Sequence, residues 1–149
     1  MDDIVRKAEW QVIGCLLLSC FRKEIDGKDF APAVFEKLEA RHFSDWAKHH
    51  PGDTARFYAA MVECHKRYGT CEKTSLLKFM TDNKIIKQQD DFMLYEAVRD
   101  CGFTYDVEHY ARIVTEAYVQ RAVLYYTDKG DYARVQKILA KQTKGGYDL

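Results

Sequence analysis

The stretch from Val107 to Leu124, VEHYARIVTEAYVQRAVL, constrains the chain more than any other, because it lies in the longest helical pattern present. Apolar or aromatic side chains recur at Val107, Tyr110, Ala111, Val114, Tyr118, Ala122 and Tyr125, in steps of three and four that keep one helix face dry. Ile113, Ala117 and Leu124 add a second stripe beside the first. A helix apolar over so much of its circumference requires burial on two sides, one against its own domain and one against a further surface such as another chain. Asp106 is placed to cap its start, and Gly130, after Thr127-Asp128-Lys129, marks its end.

The remaining pattern is helical throughout. A first helix from about Asp3 to Phe21 turns Ile4, Val5, Ala8, Val12, Cys15, Leu16 and Ser19 to one side, and Leu16-Leu17-Leu18 makes its second half apolar nearly all round, as a central core helix requires. Gly14 in its interior costs about 1 kcal/mol of helix propensity relative to alanine, which points to a close helix crossing there. Lys23 to Asp29 reads as a loop, and Asp29 followed by Pro32 as the start of a short helix buried through Val34, Phe35 and Leu38. Arg41 to Gly52, with three histidines, reads as an irregular turn whose adjacent His49 and His50 face solvent. Asp53 is the expected cap of a helix over Thr54 to Tyr68, stopped by Gly69.

Helices are also expected over Ser75 to Asp82, with Leu76, Leu77, Phe79 and Met80 inward, and from Asp90 or Asp91 to Cys101, stopped by Gly102. Asp131 caps a last helix through about Gln142, with Tyr132, Val135, Ile138 and Leu139 on one side and Arg134, Lys137 and Lys141 on another. No alternating β-branched run persists between turn signals. The expectation is an all-α fold of about seven helices: a globule over residues 1–104, a helical hairpin over 105–143 and a tail over 144–149, one structural domain overall.

Composition narrows the function. Lys plus Arg and Asp plus Glu number 23 each, so the chain lacks the basic excess of a sequence-independent DNA binder. Arg134, Lys137, Lys141 and Lys144 make a small basic edge, worth one or two phosphate contacts, so any DNA contact is expected to be indirect or weak. No segment reaches the roughly 18 uninterrupted apolar residues that span a bilayer, and the opening Met1-Asp2-Asp3 is acidic, so a cytoplasmic protein without membrane contact is expected. The five cysteines, Cys15, Cys20, Cys64, Cys71 and Cys101, fit no disulfide framework and read as reduced thiols. Cys64, His65 and Cys71 lack the second pair that would complete a zinc site, and no metal or cofactor is expected. Neither a Gly-x-x-x-x-Gly-Lys-[Ser/Thr] phosphate cradle nor the common hydrolase or metalloprotease motifs occur, so catalysis is not expected of this chain.

Arg121 falls on the apolar stripe, seven positions after Val114 and three after Tyr118. Either it meets a carboxylate, with Glu9 or Glu116 as candidates, or its stem snorkels to the surface.

Together these residues resemble the N-terminal domain of DnaB-type replicative DNA helicases. Ala8-Glu9-Trp10-Gln11-Val12-Ile13-Gly14-Cys15-Leu16-Leu17-Leu18 resembles that domain's opening A-E-Q-x-V-[LI]-G-x-[LM]-[LM]-L. Arg41-His42-Phe43 falls at its D-F-Y, Arg56-Phe57-Tyr58-Ala59-Ala60-Met61 resembles its H-x-x-[IV]-F-x-A-M, and Glu72-Lys73-Thr74-Ser75-Leu76 stands in for D-x-x-T-L. Most specific is Tyr110-Ala111-Arg112-Ile113-Val114-x-Glu116, followed by Arg121, against Y-A-x-[IL]-V-x-E-x-x-x-x-R. The resemblance runs from about Ala8 to Leu124. It departs from the family in Trp10 for glutamine, Glu72 for aspartate, a long His-rich Ser44 to Thr54 stretch and a short final helix. Such departures suit a divergent helicase, of a phage or mobile element, or a free-standing relative.

The resemblance implies a helical globule plus a hairpin, hairpins that pair between subunits, and a collar of such pairs, a dimer or trimer of dimers, on which primase or a helicase loader docks in the primosome. Hydrolysis and translocation would belong to a RecA-like ATPase domain that this chain lacks. Under this reading the self-association and partner surface comprises Tyr110, Val114, Ala117, Tyr118, Arg121, Tyr125, Val135, Ile138 and Leu139, with Glu9 and Arg121 as a structural ion pair. The alternative is a stand-alone adaptor, loader or inhibitor of the same fold that binds a host replicative helicase or primase.

Overall fold

The computed structural model describes residues 3–101 and 106–142, and among them the fold is all-α, with no strand. The helices are α1 (Asp3–Leu17), α2 (Ser19–Asp26), α3 (Ala31–Lys37), α4 (Asp53–Tyr68), α5 (Lys73–Asp82), α6 (Asp90–Asp100), α7 (Val107–Asp128) and α8 (Tyr132–Gln142), with a 3-10 turn at Ala40–His42 between α3 and α4. The expected stop at Gly102 and the residues of the 144–149 tail lie outside the described residues.

α1 is the central helix, as its apolar circumference requires. Val12, Ile13, Cys15 and Leu16 have no exposed surface, and α1 packs against α4, α6 and α7. Gly14 sits at the crossing with α6: a Cβ there would overlap the Ala97 carbonyl oxygen and come within 2.6 Å of the Cys101 Cβ. The helix-propensity cost of glycine is therefore offset by the close approach of two helices.

The first helix does not continue to Phe21, and Lys23 to Asp26 is not a loop. The backbone tightens at Leu18, whose N–H reaches the Cys15 carbonyl at 3.1 Å, and then resumes as α2. Arg22 holds Asp26 one turn on at 2.6 Å, and Gly27, at φ 75°, closes α2 in the left-handed conformation. Phe21 and Ile25 share one face of α2 a turn apart, but both are exposed, so no core-facing stripe marks this helix in the sequence.

A second correction concerns the start of α4. Asp53 is the first residue of the helix, and the cap comes from the preceding turn. The Asp45 carboxylate accepts the N–H groups of Thr54 and Ala55, both at 3.0 Å, while Asp53 turns to Arg56 at 2.9 Å. Glu72 caps α5 in the same manner, accepting the N–H groups of Thr74 and Ser75. The Asp131 carboxylate accepts the Arg134 N–H at 3.1 Å at the start of α8, whereas Asp106 makes no side-chain cap bond at α7.

α7 spans two environments. Val107, Ala111 and Val114 join the core cluster that contains Val12, Leu16 and Leu94, so the first half of α7 is part of the globule. Its second half leaves the core, and α8 folds back along it after Gly130, at φ 73°.

Candidate docking surface

The side of α7 that meets the globule is fixed by a polar and aromatic clamp. The Arg121 guanidinium donates to the His42 carbonyl at 3.0 Å, and Arg41 donates to the Tyr118 hydroxyl at 2.6 Å. The Tyr118 ring lies 4.8 Å from the His42 ring, centroid to centroid, and 5.3 Å from the Arg41 guanidinium carbon. His42 is buried, and its Nδ1 accepts the Glu39 N–H at 2.9 Å, so the other ring nitrogen carries the proton in the neutral tautomer. Burial, with the charge of Arg41 beside it, pushes the His42 pKa down to about 4.

Arg121 and Glu9 do not form an ion pair with each other. Glu9 is fully buried, and its carboxylate is taken by other partners. One carboxylate oxygen receives Arg6 at 2.6 Å and the Ser44 hydroxyl at 2.8 Å, and the other accepts the Ser44 N–H at 2.5 Å. Arg6 also reaches the Thr54 hydroxyl at 3.1 Å and Asp45 at 3.4 Å. A carboxylate three residues along the same helix was already in reach of a cation, and the backbone carbonyl at His42 meets the needs of Arg121.

The clamp divides the residues expected on the association surface. Val114 has no exposure and is a core residue, while Tyr110, Ala117, Tyr118 and Arg121 are half-buried. Val135 and Ile138 are half-buried on α8, whereas Tyr125 and Leu139 are 56% and 43% exposed. Leu124, at 67%, and Tyr132, at 64%, are exposed as well. Leu124, Leu139, Val119, Val123, Gln120 and Glu116 line a groove of about 510 Å³ between α7 and α8. Leu124, Val123 and Tyr132 extend the expected set; the signal for Leu124 was the second apolar stripe, which diverges from the core-facing stripe as the helix leaves the globule.

The edge of this face is cationic. Arg134, Lys137 and Lys141 are exposed, with the Arg134 guanidinium carbon 5.2 Å from the Tyr126 ring and the Lys129 ammonium 5.4 Å from the Tyr125 ring. Lys144 lies outside the described residues.

Among the described residues no group of His, Cys, Asp or Glu side chains could hold a metal ion. The Cys64 thiol donates to the Thr70 carbonyl at 3.2 Å, the Cys71 thiol to the Leu16 carbonyl at 3.3 Å, and His65 lies 2.7 Å from the Asp29 carboxylate. Burial pushes the Cys15 and Cys71 thiols up to about 12 and Cys64 up to about 11, so all three stay protonated at neutral pH.

The family model of the DnaB-like helicase N terminal domain matches residues 3–116. The match runs from the start of α1 into the middle of α7, where the core-facing half of that helix gives way to the exposed half. No curated protein and no solved structure matches the chain.

Proposed function

Because the chain belongs to the DnaB-like helicase N-terminal domain family, we propose that it acts as a non-catalytic assembly and docking domain in DNA replication. It self-associates through the outer face of α7 and α8 and offers the resulting collar to primase or a helicase loader. The observation that carries this reading is the split character of α7. One side is locked to the globule by Tyr118 and Arg121, and another lines a groove with α8 in which Leu124 and Leu139 stand exposed to solvent. Large apolar side chains grouped on one exposed face mark an interaction surface, and a two-fold pairing of hairpins would cover the same patch on both copies.

The equal number of acidic and basic residues favours protein partners over direct DNA binding, with Arg134, Lys137 and Lys141 as a rim for acidic groups. Among the described residues no helix is long and apolar enough to cross a membrane.

Native mass spectrometry of the protein alone, and mixed with the replicative helicase and primase of its source, tests the proposal. Dimers or hexamers alone, joined by primase, support a helicase collar. A monomer that binds an intact helicase ring contradicts the self-association and supports an adaptor or inhibitor built on the same fold.

A further inference from the structure

A second concave surface lies on the globule and shares no residue with the hairpin. It is a groove of about 710 Å³ bounded by the turn His49-His50-Pro51, by α4 through Ala59, Ala60 and Glu63, and by Phe79 and the connection Asn83 to Lys87. Its floor is apolar: Ala60 and Phe79 belong to the core, and Ile85 and Ile86 stand at its edge 40% and 41% exposed.

The edge is held by a costly backbone conformation. α5 ends in a turn in which the Ile85 N–H reaches the Met80 carbonyl at 2.9 Å and the Lys84 N–H the Thr81 carbonyl at 3.1 Å. That pattern puts the intervening residue in the left-handed region, where glycine is the usual occupant, yet here Lys84 adopts φ 58°. The strain leaves two consecutive isoleucines at the rim with Lys84 beside them. Asp90, fully buried, anchors the far end of the connection: it accepts the Lys87 N–H at 2.8 Å and both terminal nitrogens of Arg56, at 2.8 and 2.7 Å.

Charge defines what would fit. Lys84 and Lys87, both exposed, line the groove together with His49, His50 and Arg56, whose guanidinium is taken by Asp90 and Asp53. Glu63 is the one carboxylate among the lining residues, and Lys66 stands 3.5 Å from it. An apolar floor does not suit a nucleic-acid backbone, and a concave site does not suit a bilayer surface.

We propose that this groove docks a short acidic peptide segment of a partner protein, with one or two large apolar side chains seated on Ala60, Phe79, Ile85 and Ile86 and flanking carboxylates meeting Lys84 and Lys87. The electrostatic part steers and orients; the apolar anchors hold.

The test uses a displayed library of random 12-residue peptides selected against the whole protein, with affinities of winning peptides measured by fluorescence anisotropy. Enriched sequences carry Asp or Glu around an aromatic or aliphatic anchor and bind at least tenfold more weakly to Ile86→Asp and to the double variant Lys84→Glu/Lys87→Glu. Both substitutions are on exposed residues, and unchanged melting temperatures show that the fold is intact. Failure to enrich any sequence, enrichment of uncharged or basic sequences, or binding unaffected by both variants overturns the proposal. Loss of self-association in Ile86→Asp also overturns it and assigns the groove to a second copy of the chain. Loss of self-association on substitution of Leu124 or Leu139 bears on the hairpin surface alone.

Discussion

The carboxylate of Glu9, fully buried on α1, accepts the backbone N–H of Ser44 at 2.5 Å and fastens the turn after the 3-10 segment to the central helix. This contact, with those from Arg6 and the Ser44 hydroxyl, explains why a charged residue stands in the most apolar helix of the chain. The turn it secures carries Asp45, the cap of α4, and follows His42, the seat of Arg121. Replacing Glu9 with alanine leaves the Ser44 N–H and part of the Arg6 charge without a partner. The expected loss in unfolding free energy is about 3 kcal/mol, measured by urea denaturation. A loss below about 1 kcal/mol would show that water replaces the carboxylate easily.

Gly14 makes a sharper test, because helix propensity and packing oppose each other. Propensity alone favours Gly14→Ala by about 1 kcal/mol. The added methyl group would overlap the Ala97 carbonyl oxygen, a backbone atom that cannot rotate away. Net destabilisation of about 2 kcal/mol is expected in thermal or urea unfolding. A stabilised variant would mean that α1 and α6 separate without cost.

Asp45 and Asp53 separate the observed cap from the expected one. Asp45→Ala removes the acceptor of two helix N–H groups and is expected to cost about 1 to 2 kcal/mol. Asp53→Ala removes only a part-exposed ion pair with Arg56, which keeps Asp90, and should cost about 0.5 kcal/mol. Equal effects on the urea midpoint would contradict this assignment.

The fold class and nearly every helix were legible from apolar spacing, and Gly14 announced its helix crossing by its cost alone. The contacts that position the candidate surface were less so. Asp53 and Asp45 are equally good capping residues, and only the folding of the turn brings Asp45 onto α4. Arg121 advertised a need for an acceptor but not that a backbone carbonyl would serve. On α7, two apolar stripes can be read from the sequence, but which belongs to the globule depends on where the helix leaves the core. Val114 thus lies inside and Leu124 outside.

His42 gives stability a defined pH dependence. Its folded pKa, about 4, lies below the ordinary value of 6.5, so the unfolded chain binds the proton more readily. Its contribution is therefore complete above pH 6.5 and lost as the pH falls toward 4. Between pH 7 and pH 5 it removes about 2 kcal/mol of stability. His42→Gln, whatever its effect at pH 7, should flatten that slope in urea titrations at the two pH values; an unchanged slope would assign the acid sensitivity to other groups.

Sedimentation velocity of the wild-type protein beside the double variant Leu124→Asp/Leu139→Asp distinguishes assembly through the hairpin from assembly through any other face. Both residues are exposed and lie outside the core, so the variant should keep the wild-type melting temperature. A concentration-dependent dimer or higher assembly is expected in the wild type and a monomer in the variant. A wild-type protein that stays monomeric at high concentration, or a variant that associates as the wild type does, would contradict assembly through the outer face of the hairpin.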